Sequence, residues 1–256
     1  MDVLVYVDPS PRGEWALSVA AQLAASGTAA LHLLATEEDA ALDPDLLSRA
    51  RARLSPGPSV TESVRPGPAE RAVVAEASAR RPGLVVVPPA GRGAIARMLK
   101  GSRVATVVRS VRAPVLVARR PPERIGRVLA ALSGRESTAR VAAAALDLER
   151  DLGVRVAFVH VASEVALPFG APPGAGEPPS SSEAVRRALR ARGREDALVE
   201  REGLVIEEVL EEFDRGAFHL LLVGSRGEEA AGFGTEDVTV RLLLRCPGST
   251  LIVPRL

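Results

Sequence analysis

The chain repeats itself, and it does so at two different offsets. MDVLVYVDPS at the start resembles RVLAALSGRE at 127–136, pairing Val3 with Val128 and Asp8 with Ser133 at an offset of 125. LHLLAT (31–36) pairs with AFVHVA at nearly the same offset. Further on, Gly67 pairs with Gly203, Val87 with Val223, Gly91 with Gly227 and Val117 with Val253, each at 136. The difference, 136 − 125, places eleven extra residues in the second copy between about 161 and 203. The Pro/Gly/Ser-rich run PFGAPPGAGEPPSSS (168–182) lies there and predicts a flexible loop over about 165–195. Each copy is the size of a domain, so the expected division is 1–120 and 125–256, with the polar, proline-bearing RRPPER (119–124) between them.

Within each copy, strand and helix patterns alternate. LVYV (4–7), LHLLA, LVVV (84–87) and VLVA (115–118) are short apolar runs bounded by turns, as are LLLV (220–223) and LIV (251–253). Such runs read as buried strands. Ala16, Ala20 and Leu23 recur at helical spacing, with Gly27 as the stop. Ala69 to Arg80 reads as a helix, and its counterpart shows Ile206, Val209, Leu210 and Phe213 on one face. Val104, Val107, Val108 and Val111 form another apolar stripe, repeated by Val240, Leu243 and Leu244. This alternation specifies an α/β fold, a parallel sheet covered by helices on both faces.

Composition removes several functions. The 33 basic and 32 acidic residues give a net charge of +1, which offers no field for nucleic acid or an anionic membrane. No apolar run is long enough to span a bilayer, and a strand starting almost at Met1 leaves no signal peptide, so a cytoplasmic location is expected. One cysteine, Cys246, excludes a disulfide framework within the chain. A single Lys, a single Gln (Gln22) and no Asn suit either a hot environment or a GC-rich genome.

Ligands of open parallel sheets bind beyond the carboxyl ends of the strands. In the first copy Asp8 ends the first strand, Gly91 follows the fourth in PPAGRG, and Gly101-Ser102 directly precedes a helix. Glycine lets a backbone approach a ligand closely, and free N–H groups at a helix start favour an anion. The same residues also serve as plain turn and cap residues.

The stretch VVVPPAGRGAIARMLKGSRVATVVRSVRAPVLV (85–117) resembles the C-terminal half of a universal stress protein domain. Nucleotide-binding members of that family carry Gly, two residues, Gly, nine residues, then Gly-Ser or Gly-Thr; here Gly91 is followed by 92–100 and Gly101-Ser102. Asp8 matches the family's aspartate after the first strand, and LLLVGSRGEEAAGFGT (220–235) shows the first Gly-x-x-Gly in the second copy. The resemblance spans nearly the whole chain outside the long loop. It implies two tandem doubly wound domains, each a five-stranded parallel sheet of order 3-2-1-4-5, that pair with one another and associate further into homo-oligomers. It also implies ATP, with Mg, held by Asp8 at the ribose or base and by Gly91, Gly101, Ser102 and Arg103 at the phosphates. Thr36 stands where the second strand approaches the base, and Arg92 adds positive charge.

Two departures qualify this. Pro88 replaces the motif's first Gly, so Pro88 and Pro89 lack backbone donors, at about 1–3 kcal/mol for an unmade bond. In the second copy Gly224 and Gly227 match, but Asp237 and Val238 take the places of Gly101 and Ser102, Gly234-Thr235 comes three residues early, and Ser133 replaces the aspartate. A carboxylate about 5 Å from a phosphate costs roughly 3 kcal/mol at an effective dielectric of ~20, so the second site is expected to be dead.

His32, His160 and His219 carry no metal-ligand pattern, and Cys246 reads as a packed thiol. No catalytic triad order or P-loop occurs, so at most slow ATP hydrolysis is expected and no catalytic residue is assigned. The leading expectation is a nucleotide-responsive regulatory protein with ATP in the first half. Its rivals are a non-nucleotide interaction module on the same fold and an adenylating enzyme.

Overall fold

The computed structural model describes residues 2–25, 30–54, 59–89, 103–135, 137–162, 181–225 and 238–254. In the first half, β1 (Asp2–Tyr6), α1 (Gly13–Ala24), β2 (Ala30–Thr36), α2 (Glu37–Leu42), α3 (Leu46–Arg53), β3 (Val60–Arg65), α4 (Ala69–Arg80), β4 (Leu84–Val87), α5 (Arg103–Ser110) and β5 (Val115–Val117) follow in order. The second half runs β6 (Arg127–Ala131), α6 (Ser137–Leu152), β7 (Arg155–Ala162), α7 (Ser181–Arg190), β8 (Leu198–Glu202), α8 (Val205–Arg215), β9 (Leu220–Gly224), α9 (Val238–Arg245) and β10 (Ser249–Val253). The expected stop at Gly27 lies outside the described residues.

All ten strands join one sheet, in the order β3-β2-β1-β4-β5-β10-β9-β6-β7-β8. Each half therefore has the order 3-2-1-4-5, parallel throughout. Alternation along the strands splits the core into two layers. Val3, Val5, Leu31, Leu33 and Val86 pack under α1 and α3, and Val128, Ala130, Leu220 and Leu222 under α6 and α7. Leu4, Tyr6, Val85 and Val87 face α4 and α5, and Leu129, Val159 and Leu221 face α8 and α9. The period of two along a strand alone assigns each residue to its layer.

The expected loop over about 165–195 is corrected in its second part: Ser181–Arg190 form α7, and Leu198 begins β8 after a short 3-10 turn. Val185 and Leu189 lie one helical turn apart and are fully buried under the sheet, which repays the ordering of this segment. The apolar pair within SSEAVRRALR is the signal that the neighbouring Pro/Gly/Ser run obscures.

The halves meet where β5 and β10 pair antiparallel, with Val117 opposite Thr250, Leu116 opposite Leu251 and Val115 opposite Ile252. The connection between them is pinned on both sides. Gln22, the chain's one glutamine, donates from Nε2 to the Pro122 carbonyl at 2.8 Å and accepts from the Ile125 N–H at 2.7 Å. Arg119 donates from Nη1 to the carbonyls of Leu244 (3.3 Å) and Cys246 (3.2 Å) at the end of α9. Those carbonyls lack intrahelical donors, so a guanidinium satisfies them and meets the negative end of the helix dipole. Gly126 N–H donates to His219 Nδ1 at 2.9 Å. Among the described residues no helix is long and apolar enough to cross a membrane.

Candidate functional site

The order 3-2-1-4-5 puts the topological switch between β1 and β4, where the chain leaves to opposite sides. A cleft of about 90 Å³ opens at the carboxyl ends of these strands. Asp8 and Pro88, 80 positions apart (88 − 8) in the sequence, line it together with Pro89, Tyr6 and Val87. The first turns of α4 and α5 close it with Ala69, Glu70, Val73, Val104 and Val107.

Asp8 is held in a turn: Ser10 donates to Oδ1 from its N–H (3.0 Å) and from its hydroxyl. Gly13, at the start of α1, makes this turn possible. A Cβ there would lie 2.2 Å from the Asp8 carbonyl oxygen and 2.9 Å from Asp8 Oδ1, inside van der Waals contact. Among the described residues the ionisable lining of the cleft consists of Asp8 and Glu70 with the Tyr6 phenol. Carboxylates accept, so this wall suits hydroxyl and amino donors and repels phosphate.

Thr36 ends β2, the strand expected to approach the base. Its side chain is 97% shielded and caps α2. Asp39 N–H donates to Thr36 Oγ1 at 3.1 Å, while Thr36 N–H (3.1 Å) and hydroxyl donate back to Asp39 Oδ2. The same Oδ2 accepts from the Tyr6 hydroxyl at 2.7 Å. Burial first, and then the carboxylates of Asp39 and Asp8, push the Tyr6 phenol far above its ordinary range, so it stays a donor. Thr36 is thus linked through Asp39 to Tyr6 on the cleft wall. Tyr6 and Glu70 are lining residues that motif spacing missed; Tyr6 was accessible from the strand period, standing two before Asp8.

Gly91, Arg92, Gly101 and Ser102 lie outside the described residues, as do Gly227, Gly234, Thr235 and Asp237. Arg103 opens α5, one residue before the cleft-lining Val104. Pro89 has a structural consequence of its own. At the equivalent place, Ser225 N–H donates to the Val253 carbonyl at 2.9 Å; a proline cannot make that bond.

The second half differs at most cleft positions. Ala131 replaces Tyr6, Val161 replaces Thr36 and Ile206 replaces Glu70. Ser133 Oγ lies 3.2 Å from Ser137 Oγ and accepts from the Arg135 N–H at 3.3 Å, reproducing the turn without the charge. Gly224, where the first half has Pro88, packs against α6: a Cβ there would fall 2.6 Å from Ser137 Cβ. Thr239 donates to the Gly224 carbonyl at 2.8 Å. A larger cavity of about 530 Å³ lies elsewhere, at the β8 edge among Ala162, Ser182, Arg186, Glu200, Arg201 and Glu208. Its arginines are paired, Arg186 with Glu200 and Arg201 with Glu212, so it is not a ready phosphate site.

The remaining ionisable groups form structural networks. Glu76, only 2% exposed, takes Arg65 Nε and Arg80 Nε at 2.6 Å each and His32 Nε2 at 3.0 Å. Burial alone would raise its pKa; the hydrogen bonds from Arg80 and Arg65 overcome this and hold it below the usual range. Burial, then Arg80, lower the pKa of His32, whose Nδ1 meets Thr61 Oγ1 at 2.7 Å. The His32–Glu76 contact is therefore a neutral imidazole N–H bonded to a carboxylate. Burial raises the Cys246 thiol pKa, leaving a protonated packed residue. Among the described residues no group of three His, Cys, Asp or Glu is placed to hold a metal.

A tandem doubly wound α/β fold with a crevice at the β1/β4 switch defines the class. The sequence model of the universal stress protein family matches residues 1–119 and again 124–254, so the chain belongs to the universal stress protein family. A solved, functionally unknown protein from Pseudomonas aeruginosa has a similar fold (TM-score 0.74, 18% identity, 99% of this chain and 92% of that one). A universal stress protein from Archaeoglobus fulgidus is equally similar in fold (TM-score 0.74, 13% identity, 100% and 98%). A universal stress protein solved in complex with cAMP matches 46% of this chain and 95% of its own, at 28% identity and a TM-score of 0.42. No curated protein matches the chain.

Proposed function

We propose that the chain comprises two domains, 1–120 and 125–256, and is a regulatory, stress-responsive protein that binds ATP, with Mg, in the first domain. The second site is degenerate, and the protein acts in the cytoplasm as a homo-oligomer. The observation that carries this reading is the meeting of Asp8 and Pro88 in one cleft at the β1/β4 switch. The chain leads from that cleft into Gly91, the nine residues 92–100 and Gly101-Ser102. Asp8 Oδ atoms would accept the ribose hydroxyls, and the apolar wall of Val73, Val87 and Val104 would take the base. Phosphates would fall to Gly91, Arg92, Gly101, Ser102 and Arg103. ATP supplies no chemistry to a residue here; its binding selects a conformation or association state.

Calorimetric titration of nucleotide-stripped protein with Mg-ATP tests this by counting sites. One site per chain is expected, abolished by Gly101→Asp. Asp8→Ala removes a charge-assisted bond of about 1.5–3 kcal/mol, a loss of about 10–150-fold in affinity. Two sites per chain would overturn the assignment of a dead second half. Absence of binding at millimolar ATP would overturn the nucleotide reading.

One observation favours the rival, a non-nucleotide interaction module. The cleft's described part measures about 90 Å³, below the roughly 300–1,000 Å³ of small-molecule sites. Under that reading the protein captures a protein partner, and titration with ATP gives no heat.

A further inference from the structure

The second half holds a nucleophile–base pair that the chain order did not suggest. His160 on β7 is 2% exposed, and its Nδ1 lies 2.7 Å from the Leu132 carbonyl. A carbonyl only accepts, so Nδ1 carries the proton. Nε2 is then the basic nitrogen, and it lies 3.0 Å from Ser181 Oγ, whose hydroxyl donates to it. Nucleophile, base and a group that fixes the base's tautomer stand in the order that activates a serine. Leu132 takes the place that a carboxylate holds in a triad.

Three further features bear on use. Ser181 is exposed, although its partner is buried. It is the first residue of the ten-residue α7, whose opening N–H groups lack intrahelical acceptors and can receive a developing oxyanion. The cavity of about 530 Å³ is lined by the next residue, Ser182, and by Ala162, two residues beyond His160 on the same face of β7. Gly134 makes the approach possible, since a Cβ there would sit 2.6 Å from Ser181 Cβ and 2.6 Å from its carbonyl oxygen.

We propose that Ser181 and His160 form an acyl-transfer site that accepts small activated carboxylic esters. Ser181 Oγ attacks the acyl carbon while its proton passes to His160 Nε2. The bond to the ester's alcohol oxygen breaks, and that oxygen takes the proton from Nε2. Water then attacks the acyl-Ser181 in the same way, releasing the carboxylic acid and restoring the hydroxyl. This site is separate from the β1/β4 cleft and does not depend on nucleotide binding.

The test uses the full chain with two probes, p-nitrophenyl acetate and an alkyl fluorophosphonate, which Ser181 would attack with loss of fluoride. Peptide mass mapping should place the phosphonyl group on Ser181, with Ser180 and Ser182 in the same peptide as internal controls. Ser181→Ala, an exposed change, should abolish labelling and ester turnover while circular dichroism stays native. His160→Gln should slow labelling by about 10²–10⁴-fold, the usual contribution of a general base. If burial of position 160 prevents that variant from folding, the position of the label still decides. Label spread over the three serines, no label, or turnover unchanged in Ser181→Ala would each overturn the proposal.

Discussion

Replacing Gly13 with alanine sets two physical effects against each other at the edge of the cleft. Gly13 is the first residue of α1, and a helical Gly→Ala change ordinarily stabilises by up to about 1 kcal/mol. The structure opposes this. The added Cβ would stand 2.2 Å from the Asp8 carbonyl oxygen, and that atom is backbone, so no side-chain rotation relieves the contact. Reaching an ordinary separation near 3.4 Å requires a shift of about 1 Å, at the roughly 1–3 kcal/mol typical of overpacking. The net is a destabilisation of about 1 kcal/mol, or about 2–4 °C in Tm for a chain of this size. The shift also carries Asp8 Oδ1, 2.9 Å from the same Cβ, away from Ser10. Differential scanning calorimetry measures the first effect and ATP titration the second. A Tm that rises in Gly13→Ala would show that propensity outweighs the contact and would refute the argument that Gly13 shapes the Asp8 turn.

Other expectations follow from the networks. Gln22→Ala removes two bonds to the connection between the halves, at about 1–3 kcal/mol in total, and should lower Tm by several degrees in thermal unfolding. Arg119→Ala strips the donors from the α9 carbonyls and should make the second half's hydrogen exchange faster at α9 and β10, with α4 unchanged. Glu76 and His32 both have depressed folded pKa values, so the unfolded chain binds more protons and stability rises with pH. The stabilisation due to Glu76 is present above the ordinary glutamate range and lost as pH falls through its depressed value. That due to His32 is lost below about pH 6.5. Glu76→Gln should therefore flatten the acid limb of a Tm-against-pH curve; an unchanged limb would show that the network carries no pH dependence.

The doubly covered parallel sheet was readable because LVVV and LLLV are continuous apolar runs at one offset, and a sheet buried on both faces requires such runs; the order 3-2-1-4-5 was expected only by resemblance. The pairing of β5 with β10 was expected only as domain pairing by resemblance; no residue pattern in VLV or LIV distinguishes that edge from an exposed one. Thr36 carries a second signal. Thr36-Glu37-Glu38-Asp39 has the spacing of a capping box, and the residues use it to start α2. The Tyr6–Asp39 bond was not accessible at all, because it joins positions 33 apart through a six-residue helix with no apolar periodicity. The Ser181–His160 pair is hidden for the same reason: tertiary contact between the start of α7 and β7, rather than spacing, brings them together.

The two halves have kept and changed different things. Arg65–Glu76 recurs as Arg201–Glu212 at the same offset of 136, tying the third strand of each half to the helix that follows. That ion pair is buried on its acidic side in both copies, where losing one partner strands a charge, so it resists replacement. At the crevice no such penalty applies, and nearly every position differs: Tyr6 against Ala131, Asp8 against Ser133, Glu70 against Ile206, Pro88 against Gly224. Substitutions at strand ends cost little stability because few groups there are both buried and charged. Divergence of the two crevices is therefore compatible with one continuous sheet, and it leaves each half free to carry a different chemistry: carboxylates after β1 and on α4 in the first, and a serine on α7 beside an imidazole on β7 in the second.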